Sequence, residues 1–382
     1  MKATSEMPGR HLPDEPRSVE GNFVAEQRSQ TVFAAVTVIM PIRNEKGHIA
    51  QSLGSVLAQD YPADRLEVLV VDGMSVDGTR DLVRQMIADR PNVRLLDNPG
   101  RAVPTALNGG IREATGEVII RVDGHCQIAP DYVRRCVEVM RQVGADAVGG
   151  LQRATGADPV GRGVALATSS PFGVGNARFH YAARAGWTDT VYLGAYRREA
   201  FDRIGRFDED LVRNQDDEFN FRLIQAGGRI WLDPTIRSVY HSRANLRGLW
   251  RQYYEYGLYK VRVIQKRGAV PSWRHLVPAA FVLVLLGSLL LALFTHQPFW
   301  LLSVAGPYAL ASALASLWTA RHDWRTLPVL PLAFATIHIA YGIGFLSGLW
   351  HWRRLPWKSR AGLQQADSRL QSTSLDRTTH AR

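Results

Sequence analysis

Apolar strand-like segments alternate with helix-like segments between residues 36 and 150, and this order constrains the fold more than any other feature. The strand candidates cover residues 36–40, 66–71, 92–96, 117–122 and 145–148. Most of them are nearly continuously apolar, as strands are when both faces of their sheet are covered. The sequence therefore predicts an α/β, Rossmann-like domain with a mostly parallel sheet and helices on both faces.

Two of these strands end at a carboxylate, at Asp72 and at Asp123. Ligands of parallel α/β sheets bind outside the carboxyl ends of the strands, so both acids are candidate ligand contacts. His125 follows Asp123 after one glycine, and a carboxylate and an imidazole at this spacing can share one divalent cation. Such a cation, Mn²⁺ or Mg²⁺, can hold a diphosphate. The alternative is an Asp-Gly turn with a solvated histidine.

Further side chains are candidates for a nucleotide pocket beside Asp72, which could accept hydrogen bonds from a nucleobase or a ribose. Asp77 is better explained as a cap of the following helix. Arg101 lies in a loop, where a contact with phosphate and simple solvation are equally good explanations. Three residues at and after the end of the first strand could form a wall of the same pocket: Pro41, Arg43 and Glu45.

Three consecutive acids, Asp216, Asp217 and Glu218, begin a predicted helix. Acids at this place complement the helix dipole, which is the simple explanation of the cluster. Their mutual repulsion also raises the pKa of at least one carboxyl group. A carboxylate tuned in this way suits general-base deprotonation of a hydroxyl.

The chain carries a formal net charge of +11. Between residues 247 and 274 seven Lys or Arg side chains accompany one acid, Glu255, and a long apolar run follows. Cations beside an apolar segment are typical of the membrane surface, so a membrane is favoured over a nucleic acid as the anionic partner. We expect residues 246–274 to form a basic amphipathic interfacial helix region. Only two cysteines occur, Cys126 and Cys136, which fits a reducing compartment.

Residues 275–350 are predicted to form a transmembrane region of two or three spans. Its apolar stretches cover residues 275–294, 299–320 and 327–349. Three spans would place the basic segment after residue 350 on the side opposite to the other cations, against the usual charge bias, so the number of spans stays open. The sequence also predicts a disordered leader at residues 1–32 and a basic disordered tail at 351–382.

Five ordered motifs resemble glycosyltransferase family 2, which has the GT-A fold. They are VTVIMPIRNE (36–45), VVDGMSVDGT (70–79), RVDGH (121–125), GAYRREAF (194–201) and QDDEFNFR (215–222). The similarity covers residues 33–245 and predicts a GT-A glycosyltransferase domain there, followed by C-terminal transmembrane helices. It implies metal-dependent, inverting transfer of a sugar, with glucose expected, from a UDP-sugar to a hydroxyl group.

The resemblance also implies roles for single residues. Asp72 would contact the uracil, and Asp123 and His125 would fill the Asp-x-Asp positions that meet ribose, metal and diphosphate. Asp216 would be the catalytic base, with Asp217 in reserve. His125 departs from the family pattern, since an acid usually stands there, and an imidazole suits Mn²⁺ at least as well as Mg²⁺. The expected acceptor-side residues are Gly194, Gln215 and Arg251, of which Gln215 replaces the family's glutamate.

The expected product is a single added sugar, because the Gln-x-x-Arg-Trp element of processive family members is missing after residue 240. The acceptor is expected to be a polyprenyl-diphosphate-linked saccharide of exopolysaccharide or other surface-glycan synthesis. The expected location is the inner membrane, with a cytoplasmic catalytic domain. A nucleotidyltransferase and a catalytically degenerate membrane scaffold are the alternatives. A dehydrogenase is disfavoured, because no Gly-x-Gly-x-x-Gly follows the first strand.

Overall fold

The structure is a computed structural model that describes residues 33–242, 245–321 and 323–355. The leader predicted at 1–32 and nearly all of the tail predicted at 351–382 lie outside these residues. The strands are β1 Val36–Ile42, β2 Leu66–Asp72, β3 Val93–Asp97, β4 Val118–Arg121, β5 Cys126–Ile128, β6 Ala147–Thr155, β7 Gly186–Thr188, β8 Tyr192–Arg197 and β9 Ile230–His241. The α-helices are α1 Ile49–Leu57, α2 Thr79–Ile87, α3 Val103–Glu113, α4 Tyr132–Val143, α5 Pro159–Thr168, α6 Pro171–Val174, α7 Arg198–Ile204, α8 Gln215–Gln225, α9 Leu246–Arg267, α10 Val277–Thr295, α11 Phe299–Ala320 and α12 Leu330–His351.

All nine strands belong to one curled, mixed sheet in the order β3-β2-β1-β4-β8-β6-β9-β5, with β7 paired to β9. The four strands from β3 to β4 are parallel, as the strand–helix alternation predicts. The second half differs, because β8 enters between β4 and β6 and runs antiparallel to both. In the parallel half Ile42 lies opposite Asp72, so β1 and β2 end at the same edge. That edge carries the candidate site.

Residues 149–194 include nine glycines, and α5, α6 and β7 form within this segment. Local signals start both helices. Asp158 accepts a hydrogen bond from the Gly161 amide at 2.8 Å, and Pro159 occupies the first turn of α5. Ser170 caps α6 in the same way. Both helices are short and rich in small residues, so they show little periodicity in sequence.

Three C-terminal helices are long and apolar enough to cross a membrane: Trp273–Thr295, Phe299–Ala320 and Leu330–His351. The basic helix α9 precedes them and lies within the region predicted at residues 246–274. It lies against α12 so closely that a Cβ atom on Gly257 would collide with the Tyr341 carbonyl. From Gln252 to Arg267 no residue of α9 is exposed. This part of the predicted interfacial helix is therefore packed inside the protein.

Candidate active site

Arg121 joins two candidate carboxylates. It ends β4, a strand whose four residues are all buried, and its own side chain is 8% exposed. Its Nη2 donates to Asp123 Oδ1 at 2.5 Å, and its Nη1 donates to Asp216 Oδ2 at 3.2 Å. The end of the central strand and the first turn of α8 therefore meet at one guanidinium, although 95 residues separate Arg121 from Asp216.

The electrostatics separate the two carboxyl groups. Burial favours the neutral form of each. At Asp123 the charges of Arg121 and His125 and the hydrogen bond from Arg121 together outweigh burial, so the pKa of Asp123 is lowered. At Asp216 burial prevails over Arg121, and the charges of Asp217 and Asp123 add to it, so the pKa of Asp216 is raised. Burial alone would lower the pKa of Arg121, whereas the two carboxylates raise it and keep the guanidinium charged.

Asp217, the reserve base, has a different environment. The Lys260 ammonium of α9 donates to Asp217 Oδ2 at 2.5 Å, and the Thr190 hydroxyl donates to Oδ1 at 3.2 Å. Burial raises the pKa of Asp217, but Lys260, with smaller contributions from His275 and Arg274, outweighs burial and holds that pKa at about 2. Neighbouring aspartates of one helix thus have opposite shifts. Asp216 is tuned towards accepting a proton, while Asp217 is a permanent anion that ties α8 to α9.

The predicted metal ligands lie together. Ligand atoms of Asp123, His125 and Cys126 are all within 4.8 Å of one another. Glu45 adds a second carboxylate, since its Oε1 is 3.1 Å from His125 Nδ1. Oxygen and imidazole donors in this arrangement fit a divalent cation such as Mn²⁺. Cys126 fits less well, because burial raises the pKa of its thiol and its Sγ already lies 2.6 Å from the Tyr192 hydroxyl.

Asp72 stands at the same edge of the sheet but is closed to solvent. It is 0% exposed and accepts hydrogen bonds from the Ser75 amide and hydroxyl and from Arg80. In this structure its carboxylate therefore holds the 72–80 turn, and its contact with a nucleobase stays a prediction. Asp77 was predicted to cap the following helix, but Gly78 occupies the N-cap position of α2. Asp77 lies one residue before Gly78 and accepts from the Thr79 amide that begins the helix.

The other candidates of the nucleotide pocket line the same rim. Pro41 is buried in β1, and the exposed Arg43 that follows β1 packs its side chain against Gly73. Arg43 also donates to the Arg101 carbonyl at 3.3 Å. Arg101 has a left-handed backbone, with φ of 56°. The loops after β1, β2 and β3 are thus connected beside the carboxylate cluster.

The acceptor-side candidates do not form a compact cluster beside α8. Gln215 is 7% exposed and begins α8 next to Asp216, and Gly194 lies in β8, close to the Tyr196 ring. Arg251 lies on α9 with its side chain 83% exposed and pairs with Glu255 at 3.0 Å. Glu255 in turn binds Arg213, just before α8. Arg251 therefore approaches the site only through this ion-pair chain.

Two important residues had no predicted role. Arg121 carried a signal, because a charged residue inside a β-branched, buried strand needs a partner. Lys260 carried none that separates it from the other cations of residues 247–274. Only the fold shows that it is 2% exposed and aimed at Asp217.

Comparison with known proteins identifies the family of the chain. The profile of the family described as "Glycosyl transferase family 2" matches residues 37–205. The succinoglycan biosynthesis protein ExoA of Rhizobium meliloti is 31% identical over 321 residues, which cover 83% of this chain and 96% of that protein. The chain belongs to glycosyl transferase family 2. It is a glycosyltransferase with a GT-A fold, as its five motifs predict.

Two more distant relatives have similar lengths. A dolichyl N-acetyl-α-D-glucosaminyl phosphate 3-β-D-2,3-diacetamido-2,3-dideoxy-β-D-glucuronosyltransferase of Methanococcus voltae is 26% identical over 82% of this chain and 97% of its own. The structure of the mannosyltransferase PcManGT from Pyrobaculum calidifontis, in complex with GDP-Man and Mn²⁺, superimposes with a TM-score of 0.55. It is 24% identical and covers 84% of this chain and 88% of that one, which supports the GT-A fold.

Proposed function

We propose that this glycosyltransferase moves one sugar, with inversion, from a UDP-sugar to a hydroxyl group of a lipid-linked saccharide. The observation that carries the proposal is the Arg121 bridge. It holds Asp123, the donor-side carboxylate, and Asp216, the acceptor-side carboxylate, in one cluster. Glucose is proposed as the sugar and surface-glycan synthesis as the process, and the likeness to ExoA supports both.

Asp216 is proposed as the general base. Its raised pKa makes it a better proton acceptor than Asp217, whose charge is neutralised by Lys260. The acceptor hydroxyl gives its proton to Asp216, and its oxygen bonds to the anomeric carbon on the face opposite the nucleotide. The bond between that carbon and the diphosphate oxygen breaks, and UDP leaves with the electron pair.

The donor is proposed to lie along the β1, β2 and β4 edge. Asp123 and His125 would hold a divalent cation, and this cation would supply positive charge to the departing diphosphate. Pro41, Arg43 and Arg101 would form the wall at the nucleoside end. Asp72 would act there by positioning the turn of Ser75, because its own carboxylate is enclosed by the protein. The Mn²⁺ in the PcManGT complex supports the proposed metal.

A membrane-bound acceptor is proposed because the catalytic half and the apolar helices are packed together through α9. Gly194, Gln215 and Arg251 are proposed on the acceptor side, and a polyprenyl-diphosphate-linked saccharide is the proposed acceptor. The name of the Methanococcus relative, which contains a dolichyl-linked sugar phosphate, supports a lipid-linked substrate. We place the protein in the inner membrane with a cytoplasmic catalytic domain.

A donor screen tests the proposal. Membranes that contain the full chain are incubated with a lipid-linked acceptor extract and UDP-glucose, UDP-galactose, UDP-GlcNAc or GDP-mannose, with and without Mn²⁺. We expect acceptor-dependent release of UDP from one UDP-sugar, and none from Asp123→Ala. Release of pyrophosphate would instead indicate nucleotidyl transfer. Activity that is equal in Asp123→Ala and wild type would contradict the assigned site.

A further inference from the structure

The three candidate membrane helices differ in what covers them. The share of the apolar stretch that is buried inside the protein is 6% in Trp273–Thr295, 11% in Phe299–Ala320 and 44% in Leu330–His351. From residue 283 to 311, across α10 and α11, no residue is buried. From residue 333 to 348 of α12, by contrast, no residue is exposed. The three helices are alike in length and composition, but α10 and α11 are largely uncovered by the protein, whereas α12 is packed against it.

Helix α12 lies against the charged helix α9 along most of its length. A Cβ atom on Gly344 would collide with the Tyr254 carbonyl of α9, and one on Gly348 would lie 2.7 Å from the Leu258 carbonyl. Beyond the end of α12, Trp352 Nε1 donates to the same Leu258 carbonyl at 3.0 Å. Each of these contacts involves a backbone carbonyl of α9, so α12 cannot be displaced without breaking the α9 interface.

Helix α9 is bound to the catalytic domain. Its charged side chains form ion pairs with the catalytic domain, since Lys260 binds Asp217 and Lys266 binds Asp208 at 2.7 Å. Seven residues of α9 carry a charge: Arg247, Arg251, Glu255, Lys260, Arg262, Lys266 and Arg267. Placing these charges at the depth of a bilayer core would be costly. Because α12 lies alongside α9, α12 lies at the same depth as these charges.

Helices α10 and α11 have the opposite character. Residues 277–320 contain no Asp, Glu, Lys or Arg. The 19 residues of α10 extend about 28 Å, close to the ~30 Å of a hydrocarbon core. Interfacial side chains lie at the ends nearest the catalytic domain. Trp273 precedes α10 and is 75% exposed, and Arg321 stacks on Trp318 at the end of α11.

We propose that α10 and α11 alone cross the bilayer, as a hairpin whose turn at residues 296–298 reaches the far side, and that α12 stays on the side of the catalytic domain. The partner of the hairpin is the hydrocarbon core of the membrane. This topology keeps Arg353 and Arg354 on the same side as the cations of α9, in agreement with the charge bias that three spans would violate. It does not depend on the proposed sugar transfer.

Thiol labelling of variants that each add one cysteine tests the topology. The native Cys126 and Cys136 are both buried, so the wild type serves as the unlabelled background. Ala88→Cys at the end of α2 reports the side of the catalytic domain, Gln297→Cys reports the hairpin turn, and Leu355→Cys reports the residues after α12. All three positions are exposed, so the fold should tolerate each change. Full-length variants in spheroplasts are treated with a membrane-impermeant maleimide before and after permeabilisation.

We expect Gln297→Cys to be labelled from the side opposite to Ala88→Cys, and Leu355→Cys to be labelled from the same side as Ala88→Cys. At least a tenfold difference in labelling before permeabilisation should separate the two groups. If Leu355→Cys is labelled together with Gln297→Cys, then α12 spans the membrane and the proposal is wrong. If all three are labelled from one side, the hairpin does not cross the bilayer, and the proposal is equally overturned.

Discussion

The Lys260 ammonium lies 2.5 Å from the Asp217 carboxylate. This contact joins α8, whose first turn holds the acid cluster, to α9, which packs against α12. The next residue towards the N-terminus, Asp216, faces the other way and contacts Arg121 on the central strand. The two aspartates therefore divide their work. Asp217 anchors the catalytic half to the apolar C-terminal helices through α9, and Asp216 is the proposed general base.

Asp216→Asn should lower the transfer rate by about 10²–10⁴-fold, because it removes the proposed general base while keeping the size of the side chain. Donor binding, measured by titration with UDP and Mn²⁺, should change little. Asp217→Asn is the matched control and should retain most of the transfer activity while lowering thermal stability. The base would have to be reassigned if Asp217→Asn, still folded, lost as much activity as Asp216→Asn.

The pH dependence of transfer should reflect the raised pKa of Asp216. A general base works as the carboxylate, so kcat/KM should fall as the pH falls through a pKa above the ordinary value of 3.8. Arg121 lowers the pKa of Asp216, so Arg121→Met should move this acid limb to higher pH. Arg121→Lys keeps the positive charge and should move it less. Equal acid limbs in all three proteins would show that Asp216 does not control the profile.

The parallel half of the sheet and its carboxyl-end acids could be predicted from sequence, because strand alternation and strand-end residues are local signals. The antiparallel β8 could not, since its place between β4 and β6 depends on long-range pairing. The same limit applies to the site. The motif resemblance predicts that Asp123 and Asp216 belong to one active site. The enclosure of Asp72 by Ser75 and Arg80 depends on how the 72–80 turn folds, which the sequence does not specify.

Metal binding should depend on Asp123 and His125 but not on Cys126. Asp123→Asn and His125→Ala should each weaken Mn²⁺ binding in the presence of UDP by about 10-fold or more, measured by calorimetry. Cys126→Ser should bind as the wild type does, because the buried thiol is held in its protonated form. His125→Asp replaces a nitrogen donor with oxygen and should shift the preference towards Mg²⁺. A loss of Mn²⁺ binding in Cys126→Ser would add the sulfur to the ligand set.

Breaking the α8–α9 ion pair should destabilise the protein. Lys260→Met leaves Asp217 without its main cation and should cost about 2–4 kcal/mol, between the values for exposed and buried pairs. The Lys260→Met/Asp217→Asn double variant should recover part of this loss. The folded pKa of Asp217, about 2, is below its ordinary value of 3.8. The stabilisation is therefore complete above the ordinary value and disappears as the pH falls through about 2. Thermal unfolding in detergent at several pH values measures both effects.

The packing of α12 on α9 gives a matched pair of glycine variants. A Cβ atom on Gly344 would meet the Tyr254 backbone, whereas one on Gly287 in α10 would have nothing within 4 Å. Gly344→Leu should therefore force α12 away from α9 and lower the free energy of unfolding by about 1–3 kcal/mol. Gly287→Leu, the control, adds the same apolar side chain and should leave the stability nearly unchanged. Because α9 also holds the residues just before α8, through Glu255 to Arg213 and the Tyr256 carbonyl to Asn214, Gly344→Leu should also reduce transfer activity, as measured by UDP release in membranes. Equal stability and activity in the two variants would show that the α9–α12 contact is not needed to support the site.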